Sequence, residues 1–164
     1  MCDEVPYSLD LPRGTLVASS RSWAFDERNA ASSFDVTVNL MGIDAPAHCR
    51  GRRVAHSFNA DDVATDGEVT IPKLWAALLD STDALDQGHT VLVFCSQGEL
   101  CTGAFVTLLL AQVVSAWGPG VHVISWSPGF RRNPQGTCRS KLGASLFLSL
   151  SIASDSHANA KWRH

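Results

Sequence analysis

The segment Cys95-Ser96-Gln97-Gly98-Glu99-Leu100-Cys101-Thr102-Gly103 gathers a thiol, a glycine at mid-segment and a hydroxyl into one short stretch. A continuous apolar run, TVLVF over residues 90–94, precedes it, and a long apolar stretch over residues 102–117 follows. The first reads as a central strand covered on both faces, the second as a buried helix. Strand, tight loop and helix in that order aim backbone amides and a helix N-terminus at one point, which makes a site for an oxyanion. A cysteine at the loop's start lies in the positive field of that helix end, which favours the nucleophilic thiolate. The plainer alternative for Cys95 is a small apolar residue closing a strand. For Thr102 it is a helix cap.

Other loop chemistries fail on their own terms. The Gly98 to Gly103 spacing matches the opening of a nucleotide-binding P-loop, but Ala104 and Phe105 stand where lysine and a hydroxyl are needed. The glycines are too few and wrongly spaced for a dinucleotide fingerprint. His56, His89 and His122 show neither triad nor metal spacing, and the adjacent His48 and Cys49 have no matching pair, so no metal and no cofactor are expected.

The elements that must position this loop belong to one domain's worth of chain. The 164 residues are 45% hydrophobic and 18% charged, a globular composition with a net charge of −3. That charge gives no basic surplus for nucleic acid or membrane surfaces. Small basic clusters occur at Arg50, Arg52 and Arg53 and at Arg131 and Arg132; the last two are candidates to lend charge to the loop. Five cysteines form an odd set without framework spacing, and no cationic start leads into an apolar leader. Reduced thiols in the cytoplasm or nucleus are the expectation. The most apolar run, residues 104–114, is too short for a bilayer and is broken by Thr107 and Gln112.

Along the chain, the Leu11-Pro12-Arg13-Gly14 turn leads to a strand over residues 15–18, then a short helix over 23–31 capped by Ser22. DVTVNL over 35–40 alternates as a strand, and a weaker strand covers 53–58. Ile71, Leu74, Trp75, Leu78, Leu79 and Leu85 recur on one helical face, with Pro72 in the first turn and Gly88 ending the helix. Residues 121–126 read as a strand or irregular lead-in and 142–152 as a closing helix. The alternation predicts an α/β fold, a central, mostly parallel sheet flanked by helices.

The loop also resembles a known pattern. Cysteine-dependent tyrosine and dual-specificity phosphatases carry H-C-x-x-G-x-x-R-[ST], often followed by Gly, in this same setting; here the string is F-C-S-Q-G-E-L-C-T-G. Cys95, Gly98, Thr102 and Gly103 match in register, and Cys95-Ser96 is similar to the tyrosine-specific branch. The resemblance spans residues 10–152, leaving 1–9 and 153–164 as terminal extensions, and implies a dual-specificity-phosphatase-like architecture. It implies Cys95 as nucleophile and Ser96, Gln97, Gly98, Glu99, Leu100, Cys101 and Thr102 as the phosphate cradle. Thr102 would assist departure of the thiolate. An aspartate about thirty residues earlier serves such enzymes as acid, a place that Asp61 or Asp62 can fill, with Asp66 a lesser candidate.

Two positions depart from the pattern. Cys101 replaces the arginine whose fork grips phosphoryl oxygens, and Phe94 replaces the histidine that supports the thiolate. Losing such donors costs about 10²–10³ in rate. The expected function is a catalytically impaired pseudophosphatase, a binding or regulatory module for a phosphorylated protein or another oxyanion. The alternatives are an active phosphatase working through a Cys95 thiolate and a rhodanese-like sulfurtransferase. A disulfide between Cys95 and Cys101 is a further reading of the paired thiols.

Overall fold

The computed structural model describes residues 6–31 and 34–117, together with residues 124–126 and 148–150. The chain divides into two compact units, Met1–Val113 and Val114–His164. The first holds a five-stranded sheet in the order β1-β2-β5-β3-β4. Its strands are β1 (Tyr7–Asp10), β2 (Thr15–Ser20), β3 (Val36–Asn39), β4 (Val54–Ser57) and β5 (Thr90–Cys95). β2, β5, β3 and β4 run parallel, while β1 is an antiparallel edge joined to β2 through the turn closed by Leu11 N–H and Gly14 O. The fold is therefore α/β with a mixed, mostly parallel sheet, as the alternation of elements predicts. Three of the residues of β1 lie before position 10, so the sheet takes in part of what the sequence assigns to an extension.

The helices are α1 (Arg21–Phe25), α2 (Gly67–Asp86) and α3 (Leu100–Trp117), with short 3₁₀ turns over Glu27–Ala31, Ala47–Cys49 and Ala60–Val63. α1 is capped by Ser20, whose Oγ accepts from Trp23 N–H at 3.3 Å, two residues earlier than the expected Ser22 cap. Val91, Val93 and Phe94 of β5 are fully buried, which suits a strand hydrogen-bonded on both sides and covered above and below. On one face Val17, Leu92 and Phe94 pack with Ala24 and the rings of Trp23, Phe25 and Phe34.

α2 corrects the expected apolar face. Thr70, Ala77, Leu78, Ser81, Ala84 and Leu85 are its buried residues, while Ile71, Trp75 and Leu79 are 42%, 52% and 53% exposed. Leu78 and Leu85 of the expected face are buried and Leu74 is half-buried, so the periodicity is right and the buried arc is rotated toward the small side chains, which let the helix lie close. Pro72 lies beyond the first turn, since the helix begins at Gly67. At its end Gly88, with φ of 82°, turns the chain so that His89 N–H reaches Ala84 O at 2.9 Å.

α3 is apolar but one-sided. Phe105, Val106, Leu109, Leu110 and Val113 are buried, whereas Leu108 and Leu100 are 48% and 68% exposed. It has the length and composition to cross a membrane, a test that core helices of soluble proteins also pass. The second unit contains β6 (Ile124–Trp126) paired antiparallel with β7 (Leu148–Leu150). The expected closing helix over 142–152 is thus a strand at its described residues, where leucine alternates with serine at the period of a strand.

Candidate oxyanion loop

β5 ends at Cys95 and α3 begins at Leu100, so residues 96–99 make the whole turn from central strand to helix. Gly98 fixes its shape. Its φ is 75°, a conformation that side chains rarely adopt, and a Cβ there would stand 2.8 Å from both Ser19 C and Ser20 N. The loop therefore lies directly on the end of β2. Gly98 N–H points inward and donates to Cys95 Sγ at 3.2 Å. Among the described residues, nothing accepts from the N–H groups of Gln97, Glu99, Leu100 and Thr102; helical bonding resumes with Gly103 N–H to Glu99 O at 2.8 Å. These are the orphan donors of a helix start.

Cys95 is 7% exposed and Thr102 is fully buried. The Thr102 hydroxyl has no partner and caps nothing, because the helix starts two residues before it. Ser19 Oγ, near the end of β2, is also buried without a partner among the described residues, but Ser19 pairs with Phe94 and so turns to the sheet face opposite Cys95. The orphan Thr102 hydroxyl and the row of orphan amides leave unspent donors in the segment that follows Cys95. Ser96, Gln97, Glu99 and Leu100 are exposed, so the loop's outer wall meets solvent.

The structure separates the two candidate aspartates. Asp61 Oδ1 accepts from the Cys101 thiol at 3.7 Å, which brings Asp61 to the loop. Asp62 instead accepts from Asn59 Nδ2 at 3.0 Å, within its own turn. Asp66 precedes α2 without a side-chain cap and is exposed. Burial and then the Asp61 and Cys95 charges push the Cys101 thiol up, so this side chain stays protonated and serves as a donor to Asp61. Cys95, Cys101 and Cys49 are free thiols. The disulfide reading therefore does not hold in this state, because Cys101 turns to a carboxylate.

No family model, no curated protein and no solved structure matches this chain.

Phe94, at the place where the resemblance expects histidine, is fully buried and meets Phe25 edge-on with ring centroids 5.9 Å apart. It secures the opposite face of the sheet from Cys95, since neighbouring strand residues alternate. His56 pairs with Asp80 at 2.8 Å, and His89 lies 3.6 Å from Asp35 and against Arg53, as structural histidines do. Arg131, Arg132 and His122 lie outside the described residues. Among the described residues no cluster of three or more histidine, cysteine or acidic side chains is arranged to hold a metal. A surface pocket lined by Val36, Arg53, Val54, Asp80 and Gln87 sits beside β4 and α2, well away from Cys95.

One residue at the loop carried no signal in the sequence reading. Arg21 follows Ser20, and Ser20 pairs in register with Cys95 across the parallel β2–β5 ladder. Only strand pairing brings it there. A general rule could have found it: in open α/β sheets, ligands collect at the carboxyl ends of the strands.

Proposed function

We propose that the chain is a tyrosine/dual-specificity-phosphatase-like domain that binds a phosphorylated protein or another oxyanion at residues 95–102, with impaired catalysis. The observation that carries this is the set of unpaired amides, Gln97, Glu99, Leu100 and Thr102, in the short segment after Cys95, whose sulfur Gly98 N–H engages. The strand–loop–helix setting and the matched spacing of Cys95, Gly98, Thr102 and Gly103 support the family resemblance. The free thiols at Cys49, Cys95 and Cys101 suit a reducing compartment such as cytoplasm or nucleus.

In such a site the Cys95 thiolate attacks phosphorus, the ester oxygen leaves with a proton from an acid, and water then cleaves the phosphocysteine. Asp61, whose Oδ1 meets the Cys101 thiol, takes the acid's place. What is missing is the fork that neutralises the equatorial oxygens as charge spreads over them. Cys101 contributes a neutral thiol turned toward Asp61 where the pattern has a cation. Binding thus rests on neutral amides and a helix end, while transition-state stabilisation falls short.

The test is aryl-phosphate hydrolysis by the wild-type chain, Cys95→Ser and Cys101→Arg. Cys101→Arg is expected to gain about 10²-fold or more over wild type, and to lose that gain when combined with Cys95→Ser. A Cys101→Arg chain that folds, binds phosphate and gains nothing would show that the remaining parts are not arranged for phosphoryl transfer. Residual wild-type turnover that vanishes in Cys95→Ser would favour the active-enzyme reading, for which the position of Asp61 is the supporting observation.

A further inference from the structure

We infer that Arg21 is the cation that holds the loop's anionic ligand, a phosphate monoester or inorganic phosphate, in place of the guanidinium absent at Cys101. This rests on the reading of residues 95–102 as an oxyanion site. β2 and β5 are parallel neighbours with Ser20 opposite Cys95, so the residues after both strand ends leave on the same rim of the sheet. Neighbouring strands lie about 4.8 Å apart, well within the reach of an arginine side chain. The contact is closer still at the loop's middle, where Gly98 lies against the backbone of Ser19 and Ser20. Arg21 is the next residue along.

Among the described residues its charge is unspent. Arg21 is exposed and makes no hydrogen bond or ion pair among the described residues, although a guanidinium offers five donors. The described segments that border the loop, residues 19–22, 57–68 and 95–105, contain Arg21 as their one base. The same segments carry the carboxylates Asp61, Asp62, Asp66, Glu68 and Glu99. Among the described residues of these segments, a dianion without Arg21 meets amides and acids alone.

The strand order gives the arrangement direction. Arg21 stands on the β2 side of β5, and Asp61 approaches from the segment after β4, on the other side. A phosphate ester on the loop is then flanked by a cation on one side and a carboxyl group on the other. This grip differs from a fork rooted in the first turn of α3. It comes from the solvent side, so it is weaker and more sensitive to salt.

Calorimetric titration with inorganic phosphate and phenyl phosphate, at low and at physiological salt, tests the assignment on wild type, Arg21→Ala, Arg21→Lys, Cys101→Arg and a distant Lys73→Ala control. Arg21→Ala is expected to bind about three- to tenfold more weakly at low salt, with a flatter salt dependence and an unchanged thermal midpoint. Arg21→Lys should recover part of the affinity, and Lys73→Ala should match wild type. Equal affinity in wild type and Arg21→Ala at low salt would overturn the role of Arg21 while leaving the loop site standing. Binding by Cys101→Arg alone, with none by wild type, would also remove Arg21 as an effective cation. Absence of binding in every chain would remove the loop site itself.

Discussion

At Gly98 two constraints act on one residue, and either alone would select glycine. Its φ of 75° disfavours any Cβ, and the end of β2 occupies the space that a Cβ would fill at 2.8 Å. Gly98→Ala is expected to cost about 2 kcal/mol or more, combining left-handed strain with a backbone shift. Urea unfolding measures that cost, and phosphate titration should show the loop's affinity falling with it, because the amide that meets Cys95 Sγ moves. The sequence marks this glycine and the neighbouring Cys95 clearly, since their spacing is itself the pattern. It does not choose between Asp61 and Asp62. Adjacent residues differ only in where their side chains point, and here that is decided by Asn59, whose side chain accepts from Asp61 N–H and donates to Asp62 Oδ1. Phe94 was legible as a departure from the pattern but not as a reason for one. Its partner Phe25 is distant in sequence, and only the packed face shows that the ring closes the core.

At the scale of elements, the central strand and its neighbours are tied at their far end by Asp35. This buried carboxylate, just before β3, accepts from Thr90 N–H at 3.0 Å and Thr90 Oγ1 at 3.1 Å, and Arg52 reaches it at 3.2 Å. Burial raises its affinity for a proton, but the Thr90 hydrogen bonds and the charges of Arg52 and His89 outweigh that, and the group is held below the usual carboxylate value. A depressed folded value makes its contribution to stability complete above the ordinary range near pH 4 and lost as pH falls through the folded value. Arg52 and Asp35 being partly open to solvent, the ion pair adds little beside the Thr90 bonds. Asp35→Asn should therefore be less stable than wild type at pH 6, with the gap in urea midpoint narrowing toward pH 3. A gap that stays constant with pH would mean that packing, rather than ionisation, sets the role of the residue. The four-residue edge strand β1 was not legible in the sequence, and the expected helix over 23–31 is α1 followed by a 3₁₀ turn. β2, β3, β4, β5, α2 and α3 were legible because their periods are long or their runs continuous. The phase of α2 was not, because Ile71, Trp75 and Leu79 offer an apolar arc as large as the buried one, and close packing prefers the arc carrying Ala77, Ser81 and Ala84.

At the scale of the molecule, four parallel strands deliver their carboxyl ends to one rim, and the residues of the proposed site, scattered in sequence, follow those ends. Cys95 comes from β5, Arg21 follows β2, and Asp61 follows β4. A ligand held on that rim as proposed would bridge elements that must separate when the first unit unfolds, which would link binding to stability. Ligand at ten times its dissociation constant adds about 1.4 kcal/mol, which for a chain of this size raises the thermal midpoint by roughly 3–6 °C. Phosphate also stabilises folded proteins without any site, by exclusion from their surfaces. The informative comparison is therefore between wild type and Gly98→Ala, each heated in phosphate and in chloride of equal ionic strength. Wild type should show the general rise plus a saturable one, and Gly98→Ala only the general rise. If the two chains gain the same increment at every phosphate concentration, the rim holds no anion, and the free amides of residues 97–102 are an ordinary helix start facing water.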